Sequence, residues 1–283
     1  MMPICYLNGE ICPLASARIS VLDRGFLFGD GVYEVVPVYA GHLFCWDRHL
    51  RRLARSLSEI RISTALDNLA EAVHKLLQET KLSDAVIYIQ ITRGAENTRR
   101  HAFPQPPVAP TVFMMVMPRK PIAAEKICNG VSCRLSDDYR WLRGDIKSIS
   151  LLGAVLAAEE AVSNNHEETI FIRQGTLTEA SSSNVQIIVD NKIITPLNDY
   201  RILPGITGEV MLETANDLGV EILSRDITRA ELMAADEIWL TSSTREMLPV
   251  VVLGGVMIGG GKPGGLFKRV HAALRQRIEE YTK

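Results

Sequence analysis

The sequence predicts a mixed α/β fold built from two domains, and three observations lead to this expectation. The chain has 283 residues, which is longer than one ordinary hydrophobic core organises. Helical apolar periodicity and strand-like runs rich in β-branched residues both occur in each half of the chain. Two prolines interrupt the pattern in the stretch PRKPIAAEK. We therefore expect a smaller N-terminal α/β domain at 1–120, a linker at 121–126 and a larger C-terminal α/β domain at 127–283.

The elements of the first half follow from local patterns. Ile4–Leu7 has the composition of a strand and is followed by Asn8 and Gly9, a strong signal for a hairpin turn. Leucines at helical spacing predict one helix within RHLRRLARSLSEIRI and a second at 69–79. The runs AVIYIQITR and TVFMMVM are rich in β-branched and aromatic residues, so we expect buried strands there.

The second half alternates strand-like and helix-like segments. The sequence TRAE, which begins at Thr228, has the spacing of a capping box and predicts the start of a short helix. The predicted strands lie at 131–135, 169–173, 185–189, 221–224 and 236–242, and the predicted helices lie at 151–164, 207–218 and 266–281.

The composition excludes several classes of protein and partner. With 47% hydrophobic and 23% charged residues, the chain has the composition of a soluble globular protein. The formal net charge of −2 gives no reason to expect nucleic acid or an anionic membrane as a partner. The five cysteines lack the spacing of a zinc site, so we expect reduced thiols, no bound metal and a cytoplasmic location. We expect neither a signal peptide nor a membrane helix, since the apolar stretches are too short.

Two glycine-rich stretches lack the pattern of nucleotide-binding loops. GFLFGDG does not have the G-x-G-x-x-G spacing, and GGGKPGG carries Pro263 where a P-loop needs a hydroxyl residue. We expect turns at both. The motifs of zinc peptidases and of serine hydrolases with a nucleophile elbow do not occur. Apart from His101, the histidines belong to no recognisable constellation, and we expect them in the core or at the surface.

Polar residues at the ends of predicted strands and helices indicate a cofactor. Lys147 stands at the entry of an apolar helix, where it is either a solvated charge or a nucleophilic amine. Ile206 and Thr207 open a helix whose first N–H groups can bind an anion, and LTSSTRE adds hydroxyl groups. If Glu179 is buried, its carboxylate needs a positive partner. An imine-forming lysine, a phosphate site and a carboxylate for a protonated ring nitrogen together describe pyridoxal 5′-phosphate.

The chain resembles the fold-type IV pyridoxal-phosphate enzymes, which include D-amino-acid aminotransferases, branched-chain aminotransferases and aminodeoxychorismate lyases. The resemblance runs nearly from end to end through the motifs YLNGE, DRGFLFGDGVYEVV, RHLRRL, DIKSISLLGAVLA, TEASSSNV, LPGIT and LTSSTRE. It implies a two-domain protomer with the cofactor between the domains, and usually a homodimer.

The same resemblance assigns cofactor-binding residues. Lys147, in the expected C-terminal domain, would be the Schiff-base lysine, and Glu179 would pair with the pyridine nitrogen. Arg140 and Arg143 are expected to favour the neutral amine of Lys147 by their positive charge. The residues implied for the phosphate are Arg52, Ile206, Thr207, Ser243 and Thr244. The residues implied for the rest of the cofactor are Ser182, Ser183, Asn184 and Leu203.

The loop TRGAENTRRHAFP resembles the D-amino-acid aminotransferase pattern, in which an Arg-x-His pair traps the substrate α-carboxylate across the dimer. Here that pair would be Arg99 and His101, with Tyr33 as a third donor. Arginine can hold a carboxylate through two parallel bonds, and each charge-assisted bond contributes ~1.5–3 kcal/mol. Arg100 stands beside Arg99, which leaves open which guanidinium faces the substrate. It also remains open at this stage that all three loop residues are solvated.

The resemblance therefore implies transamination of D-amino acids of the D-alanine type with 2-oxo acids such as 2-oxoglutarate. Lys147 would form the imine and would also move the proton during the reaction. Two alternatives lie within the family: a branched-chain L-amino-acid aminotransferase and an aminodeoxychorismate lyase. An alternative of another class is a non-enzymatic protein that binds pyridoxal phosphate.

Overall fold

The computed structural model describes residues 3–282, which fold into two compact units. The first unit comprises the chain up to Arg119 together with Ile146–Ser150. The second unit comprises Lys120–Asp145 and Leu151–Tyr281. The segment that carries Lys147 therefore belongs to the first unit, although the sequence placed it in the C-terminal domain. Mixed α/β structure in both units confirms the predicted fold class.

The first unit is one antiparallel sheet with helices packed against it. Its strands are β1 (Ile4–Leu7), β2 (Glu10–Pro13), β3 (Gly31–Tyr39), β4 (His42–Leu43), β5 (Ala85–Thr92) and β6 (Thr111–Pro118). Its helices are α1 (Arg24–Phe28), α2 (Trp46–Glu59) and α3 (Leu69–Thr80). The strand order is β2-β1-β6-β5-β3-β4.

Local sequence explains the hairpin and the core of this unit. Asn8 and Gly9 have φ angles of 49° and 106°, the left-handed values that a two-residue hairpin turn requires. Leu53 and Leu57 of α2 and Leu76 of α3 are buried in the core of the unit, as their spacing predicts. Both predicted helices and the predicted β1, β5 and β6 are confirmed.

The second unit has a mixed sheet of nine strands. The strands are β7 (Val131–Asp137), β8 (Glu168–Arg173), β9 (Thr176–Ala180), β10 (Asn184–Val189), β11 (Lys192–Thr195), β12 (Ile222–Ser224), β13 (Glu237–Ser242), β14 (Glu246–Leu253) and β15 (Val256–Met257). The helices are α4 (Ala124–Asn129), α5 (Leu152–Ser163), α6 (Ile206–Asp217), α7 (Arg229–Met233) and α8 (Gly265–Glu280). The strand order is β12-β11-β10-β13-β14-β7-β8-β9, with β15 paired to β14.

The sheet of the second unit combines parallel and antiparallel pairs. β7 lies parallel to β8 and β14, and β11 lies parallel to β12, whereas the other neighbours are antiparallel. Apolar side chains of β8, β10 and β13 form the core, with Ile170, Ile187 and Ile238 fully buried. The capping box at Thr228 and Glu231 is present at the start of α7, as predicted.

Two local expectations were wrong, and several strands were missed. Part of GFLFGDG is not a turn, because Asp23 caps α1 by accepting a hydrogen bond from the Gly25 N–H at 2.8 Å. The strand β3 follows at once and was missed. The expected linker is partly helical, since α4 begins at Ala124. Within residues 3–282, no helix combines the length and apolar character needed to cross a membrane.

Candidate active site

Lys147 is held at the edge of β3 by backbone hydrogen bonds. The N–H of Tyr33 donates to the carbonyl of Lys147 at 2.9 Å, and the N–H of Ile149 donates to the carbonyl of Gly31 at 3.1 Å. These bonds extend the sheet beyond the short strand β4, which covers only the far end of β3. They explain why the segment packs with the first unit. The Nζ of Lys147 lies 4.4 Å from the centre of the Tyr33 ring.

A buried charge cluster lies in the same unit, on β3 and α2. Nε and Nη2 of Arg52 donate to the two carboxylate oxygens of Glu34 at 2.8 and 2.9 Å. Nδ1 of His49 donates to the same carboxylate at 2.8 Å. Burial by itself raises the pKa of Glu34, but the charges and hydrogen bonds of Arg52 and His49 outweigh it and lower the pKa to about 2. Glu34 is therefore ionised at neutral pH.

His49 and Glu34 are the residues of this cluster that sequence reasoning missed. Burial lowers the pKa of His49, Glu34 raises it, and the positive charges of Arg52 and Lys147 lower it further. His49 is thus neutral at neutral pH, and its Nε2 atom is buried without a hydrogen-bond partner among residues 3–282. A buried polar atom without a partner is costly, so a polar ligand beside it would be stabilising. In the sequence, His49 stands three residues before Arg52, on the same face of the helix. This spacing could have indicated that both side chains reach the same site.

The three predicted substrate-binding residues lie in two places in the first unit. Tyr33 is beside Lys147, and its ring lies 5.7 Å from that of Tyr88. Arg99 and His101 share a different neighbour: the guanidinium of Arg99 lies 4.9 Å and the ring of His101 lies 5.3 Å from the centre of the Phe28 ring.

The structure distinguishes the two adjacent arginines of this loop. Arg100 forms an ion pair with Glu96, four residues earlier. Arg99, in contrast, shares the Phe28 ring with His101.

In the second unit, Glu179 of β9 is the centre of a hydrogen-bond network. It is 7% exposed and accepts bonds from Nη1 of Arg140 at 2.7 Å and from the N–H of Leu203 at 3.0 Å. The amide of Asn184 donates to Glu179 at 3.5 Å and to the carbonyl of Leu203 at 2.8 Å. Glu179, Asn184 and Leu203, predicted separately, are thus brought together.

Arg140 is a partner of Glu179 that the sequence analysis placed elsewhere. We expected Arg140 and Arg143 to act on Lys147, but Arg140 binds Glu179 and Asp138, and Arg143 binds Asp145. Burial lowers the pKa of Arg140, yet its two carboxylate partners raise it above the usual value. Arg140 therefore supplies the positive charge that a buried Glu179 requires.

The helix α6 begins beside this network. Gly205, which has no side chain, is its N-cap, and Ile206 and Thr207 are its first two residues, both buried. A Cβ at Gly205 would lie 1.7 Å from Oδ1 of Asn184, so any other residue there would displace the Asn184 side chain. Helix N-termini present N–H groups and a positive dipole end, which together favour an anion.

Ser243 and Thr244 lie in the turn between β13 and β14, at the same end of the sheet as Asn184. Asn184 and Thr241 are directly paired in the antiparallel β10–β13 ladder, and the turn follows Ser242. Hydroxyl groups there can add donors to an anion at the start of α6.

Ser182 and Ser183 have partners that the sequence did not indicate. The N–H of Ser182 and the hydroxyl of Ser183 donate to Glu168 at 2.8 and 2.5 Å. Nη1 of Arg245 donates to Glu168 at 2.7 Å and to the hydroxyl of Ser182 at 2.8 Å. Glu168 and Arg245 thus fix the turn that precedes Asn184. The short polar run TEASSSNV indicated a turn but gave no signal for these two distant residues.

Comparison with known proteins places these features in a family. A model described as Amino-transferase class IV matches residues 31–253. The sequence is 39% identical over 277 residues to the D-alanine aminotransferase of Staphylococcus haemolyticus, with 97% of each chain covered. It is 35% identical over 279 residues to the D-alanine aminotransferase of Listeria monocytogenes serotype 1/2a, which covers 98% of this chain and 96% of the relative.

Solved structures show the same fold at lower sequence identity. The branched-chain amino acid aminotransferase of Escherichia coli matches with a TM-score of 0.91 and 24% identity, covering 100% of this chain and 97% of that chain. A T.th. branched-chain amino acid aminotransferase with pyridoxamine 5′-phosphate matches with a TM-score of 0.90 and 24% identity, covering 99% and 95%. The chain therefore belongs to the class IV aminotransferases, which use pyridoxal 5′-phosphate as their cofactor.

Proposed function

We propose that this enzyme transaminates D-alanine and similar D-amino acids, with 2-oxo acids such as 2-oxoglutarate as amino acceptors. Relatives at 35–39% identity over nearly the full chain are D-alanine aminotransferases, which supports this substrate class. The structural observation that carries the proposal is the pairing of Arg99 with His101 around Phe28, because D-selectivity requires a fixed α-carboxylate.

The donor groups of the chain fit pyridoxal 5′-phosphate. The Nε2 of His49 has no hydrogen-bond partner in the part of the chain that the structure describes, and it lies beside the ionised Glu34–Arg52 pair. Together they mark a place in the first unit where a polar ligand would be stabilising. In the second unit, the start of α6 supplies N–H groups that can bind an anion. The proposed phosphate-binding residues are Arg52, Ile206, Thr207, Ser243 and Thr244.

The proposed role of Lys147 is to bind the cofactor covalently and to move a proton. Pyridoxal phosphate, when bound, supplies an aldehyde that takes up amino groups and a ring that withdraws electrons from the substrate. Lys147 can act as a base only as a neutral amine, and a lysine loses its proton more readily near other positive charges.

The proposed role of Glu179 is to keep a proton on the pyridine nitrogen. Its carboxylate accepts hydrogen bonds from Arg140, Leu203 and Asn184, so the orientation of the carboxylate is fixed. Ser182 and Ser183 are proposed to line the cofactor as parts of the turn that Glu168 and Arg245 hold. An ionised carboxylate beside the ring favours the protonated nitrogen.

The substrate α-carboxylate is proposed to bind Arg99 and His101, with Tyr33 as a third donor. Within one chain the Arg99–His101 pair and Tyr33 have different neighbours, so the pair is proposed to reach the site of the other protomer across the dimer. A guanidinium can bind a carboxylate through two parallel hydrogen bonds. Since the carboxylate is thereby fixed, the α-hydrogen of only one enantiomer can face the amine of Lys147.

We also propose that the enzyme is a homodimer and that it is cytoplasmic. The outer face of α5 exposes Leu152, Val155 and Val162 to 72%, 56% and 66%, while Ala157 and Ala161 pack inward. Exposed apolar side chains clustered on one helix are typical of an interface between protein chains, although Glu159 and Glu160 of α5 are exposed as well. The five cysteines carry free thiols, which is compatible with a reducing compartment.

The proposed function is tested by replacing Lys147. We expect Lys147→Ala to lower turnover of D-alanine with 2-oxoglutarate by at least about a thousandfold, because it removes both the covalent link and the base. Lys192→Ala is the matched control, since Lys192 is a surface lysine paired with Glu221. The activity of this variant should equal that of the wild type. Undiminished turnover by Lys147→Ala would overturn the assignment.

A further inference from the structure

A buried arginine holds the main chain of the loop that carries Arg99 and His101. Nη1 of Arg24 donates to the carbonyl of Arg100 at 2.7 Å and to that of Ala102 at 3.2 Å. Nη2 of Arg24 donates to the carbonyl of His101 at 3.0 Å. Three consecutive carbonyls of the loop are thus bound by one guanidinium, and Arg24 is only 3% exposed.

The position of Arg24 is itself fixed from the other side. Its Nε donates to Asp30 at 2.8 Å, and Arg93 donates to the same carboxylate through Nε and Nη2 at 2.8 and 2.9 Å. Burial raises the pKa of Asp30, but Arg93 and Arg24 outweigh it and lower the pKa below the usual value. Arg93 also donates to the carbonyl of Ile60, beyond the end of α2, at 2.7 Å. Its guanidinium lies 3.6 Å from the centre of the Phe103 ring, a second contact with the loop.

The side chains of the loop meet Arg24 again at Phe28. The guanidinium groups of Arg24 and Arg99 each lie 4.9 Å from the centre of the Phe28 ring. His101 contacts the same ring at 5.3 Å. Contacts between a cation and an aromatic ring contribute ~0.5–1 kcal/mol at exposed sites, so Phe28 adds to the backbone anchor without replacing it.

These contacts distinguish an anchored loop from a solvated one. Water satisfies the carbonyls of a solvated loop, and no buried charge is then needed. Burying a guanidinium is costly unless a carboxylate and acceptor atoms surround it, and Asp30 and the three carbonyls supply both for Arg24. The geometry therefore favours a loop whose conformation is set before any substrate arrives.

We propose that Arg24 is a positioning residue for substrate binding: it fixes the backbone of residues 100–102 and so holds Arg99 and His101 as a pair for the α-carboxylate. This inference rests on the proposed function, in which Arg99 and His101 bind that carboxylate. Arg24 acts through the loop and does not itself touch the substrate. Its loss should weaken the binding of D-alanine more than it slows the later steps.

The test compares four variants of the cofactor-loaded enzyme. Arg24→Gln removes the charge, and Arg24→Lys keeps a charge for Asp30 but lacks the planar set of donors that reaches three carbonyls. Arg99→Ala removes the proposed carboxylate ligand directly. Arg18→Gln is the matched control, because Arg18 also donates to two main-chain carbonyls, those of Ala15 and Ala17, at an exposed site.

Two readouts are measured for each variant. The first is the separate determination of KM for D-alanine and of kcat. The second is the rate at which trypsin cuts the loop in the folded protein, after Arg99 and Arg100, or after Arg100 alone in Arg99→Ala. This rate reports on the loop without activity. We expect both Arg24 variants to raise KM at least tenfold with kcat changed less than about threefold, and to speed cleavage. Arg18→Gln should match the wild type in both.

The outcomes separate this inference from the proposed function. If Arg99→Ala raises KM while both Arg24 variants leave KM and cleavage unchanged, the role of Arg24 is overturned and the proposed function stands. If the wild type does not react with D-alanine at all, the proposed function is wrong and the inference falls with it. Should Arg24→Gln not fold, Arg24→Lys carries the same comparison.

Discussion

Nη1 of Arg140 donates to Oε1 of Glu179 at 2.7 Å, while the rest of the same guanidinium is bound by Asp138. Asp138 accepts Nε and Nη2 of Arg140, both at 2.9 Å, and also contacts Arg173 at 3.1 Å. The side chain of Asp138 is fully buried. Charges therefore alternate from Arg173 through Asp138 and Arg140 to Glu179, and Asp138 offsets the positive charge that Arg140 brings to Glu179.

This alternation predicts the effect of neutralising Asp138. In Asp138→Asn the charge of Arg140 is no longer offset, so the potential at Glu179 becomes less negative and a protonated pyridine nitrogen is less favoured. We expect the affinity for pyridoxal phosphate to fall about tenfold, or ~1.4 kcal/mol. Affinity for an analogue with carbon in place of the ring nitrogen should fall much less. Titration calorimetry of the apoenzyme measures both.

The chain offers a matched control for this variant. Asp199 binds Arg201 two residues later through the backbone N–H at 2.9 Å and through Nε at 3.0 Å, the same local arrangement as Asp138 and Arg140. Arg201 then reaches Asp226 instead of Glu179. Asp199→Asn should leave both affinities unchanged. If Asp138→Asn lost equal affinity for the cofactor and for its analogue, the role of Asp138 would be structural and not electrostatic.

A second prediction concerns Gly205, because the Asn184 side chain fills the space that a Cβ at this position would need. Its φ of −81° suits any residue, so the cost of Gly205→Ala comes from the contact of the new Cβ with Asn184. The amide of Asn184 must turn away and lose its bonds to Leu203 and Glu179. We expect cofactor affinity to fall at least tenfold. Gly265→Ala, at an open helix start, should have no such effect, and equal affinities in both variants would refute this account.

The pKa of Glu34 predicts a pH dependence of stability. Its folded pKa of about 2 is below the ordinary value of 4.5, so ionised Glu34 stabilises the protein above pH 4.5. This contribution, roughly 3 kcal/mol, is lost as the pH falls from 4.5 towards 2. Glu34→Gln should be less stable at neutral pH and should show a flatter decline of stability in this range. Unfolding by urea at a series of pH values measures the free energy of unfolding of both proteins.

Glu231 provides the comparison for Glu34. Its pKa is also lowered to about 2, by the hydrogen bonds of the capping box, but its side chain is exposed and screened by water. Glu231→Gln should therefore change the pH dependence less than Glu34→Gln. An unchanged slope in Glu34→Gln would mean that the buried cluster contributes nothing to acid stability.

The apolar outer face of α5 predicts the effect of a charge in the proposed dimer interface. Val155→Glu should shift the protein from twice the chain mass to 31.4 kDa in light scattering, because a carboxylate would be buried without a partner. Gln276→Glu adds the same charge on an exposed position of α8 and should leave the mass unchanged. A wild-type protein with the mass of one chain would contradict the proposed dimer.

The sequence predicted most of the helices and many of the strands, but it missed two long strands, β3 and β14, and several short ones. The residues of β3, GVYEVVPVY, include Pro37, which argues against a strand, and Glu34, which breaks the apolar run. Glu34 is tolerated there only because Arg52 and His49 arrive from α2, a tertiary pairing that no local pattern contains.

Sequence motifs predicted which residues belong to the candidate site, but they did not predict the hydrogen-bond networks that hold those residues. Family motifs identified Lys147, Glu179 and Asn184. They gave no sign that Arg140 binds Glu179 or that Arg24 holds the loop at 100–102, because these contacts join residues 39 and 76 to 78 positions apart. Tertiary packing determines which charged residues pair at such separations, and the spacing of residues in the sequence does not predict it.

The most direct test of the D-amino-acid assignment is a single-turnover experiment with the cofactor-loaded enzyme. D-alanine and L-leucine are mixed separately with the enzyme, without an amino acceptor, and the absorption band of the lysine-bound cofactor is followed. If the enzyme is a D-amino-acid aminotransferase, D-alanine removes the band rapidly and L-leucine leaves it unchanged. Loss of the band with L-leucine alone would contradict the D-amino-acid assignment and the role of Arg99 and His101.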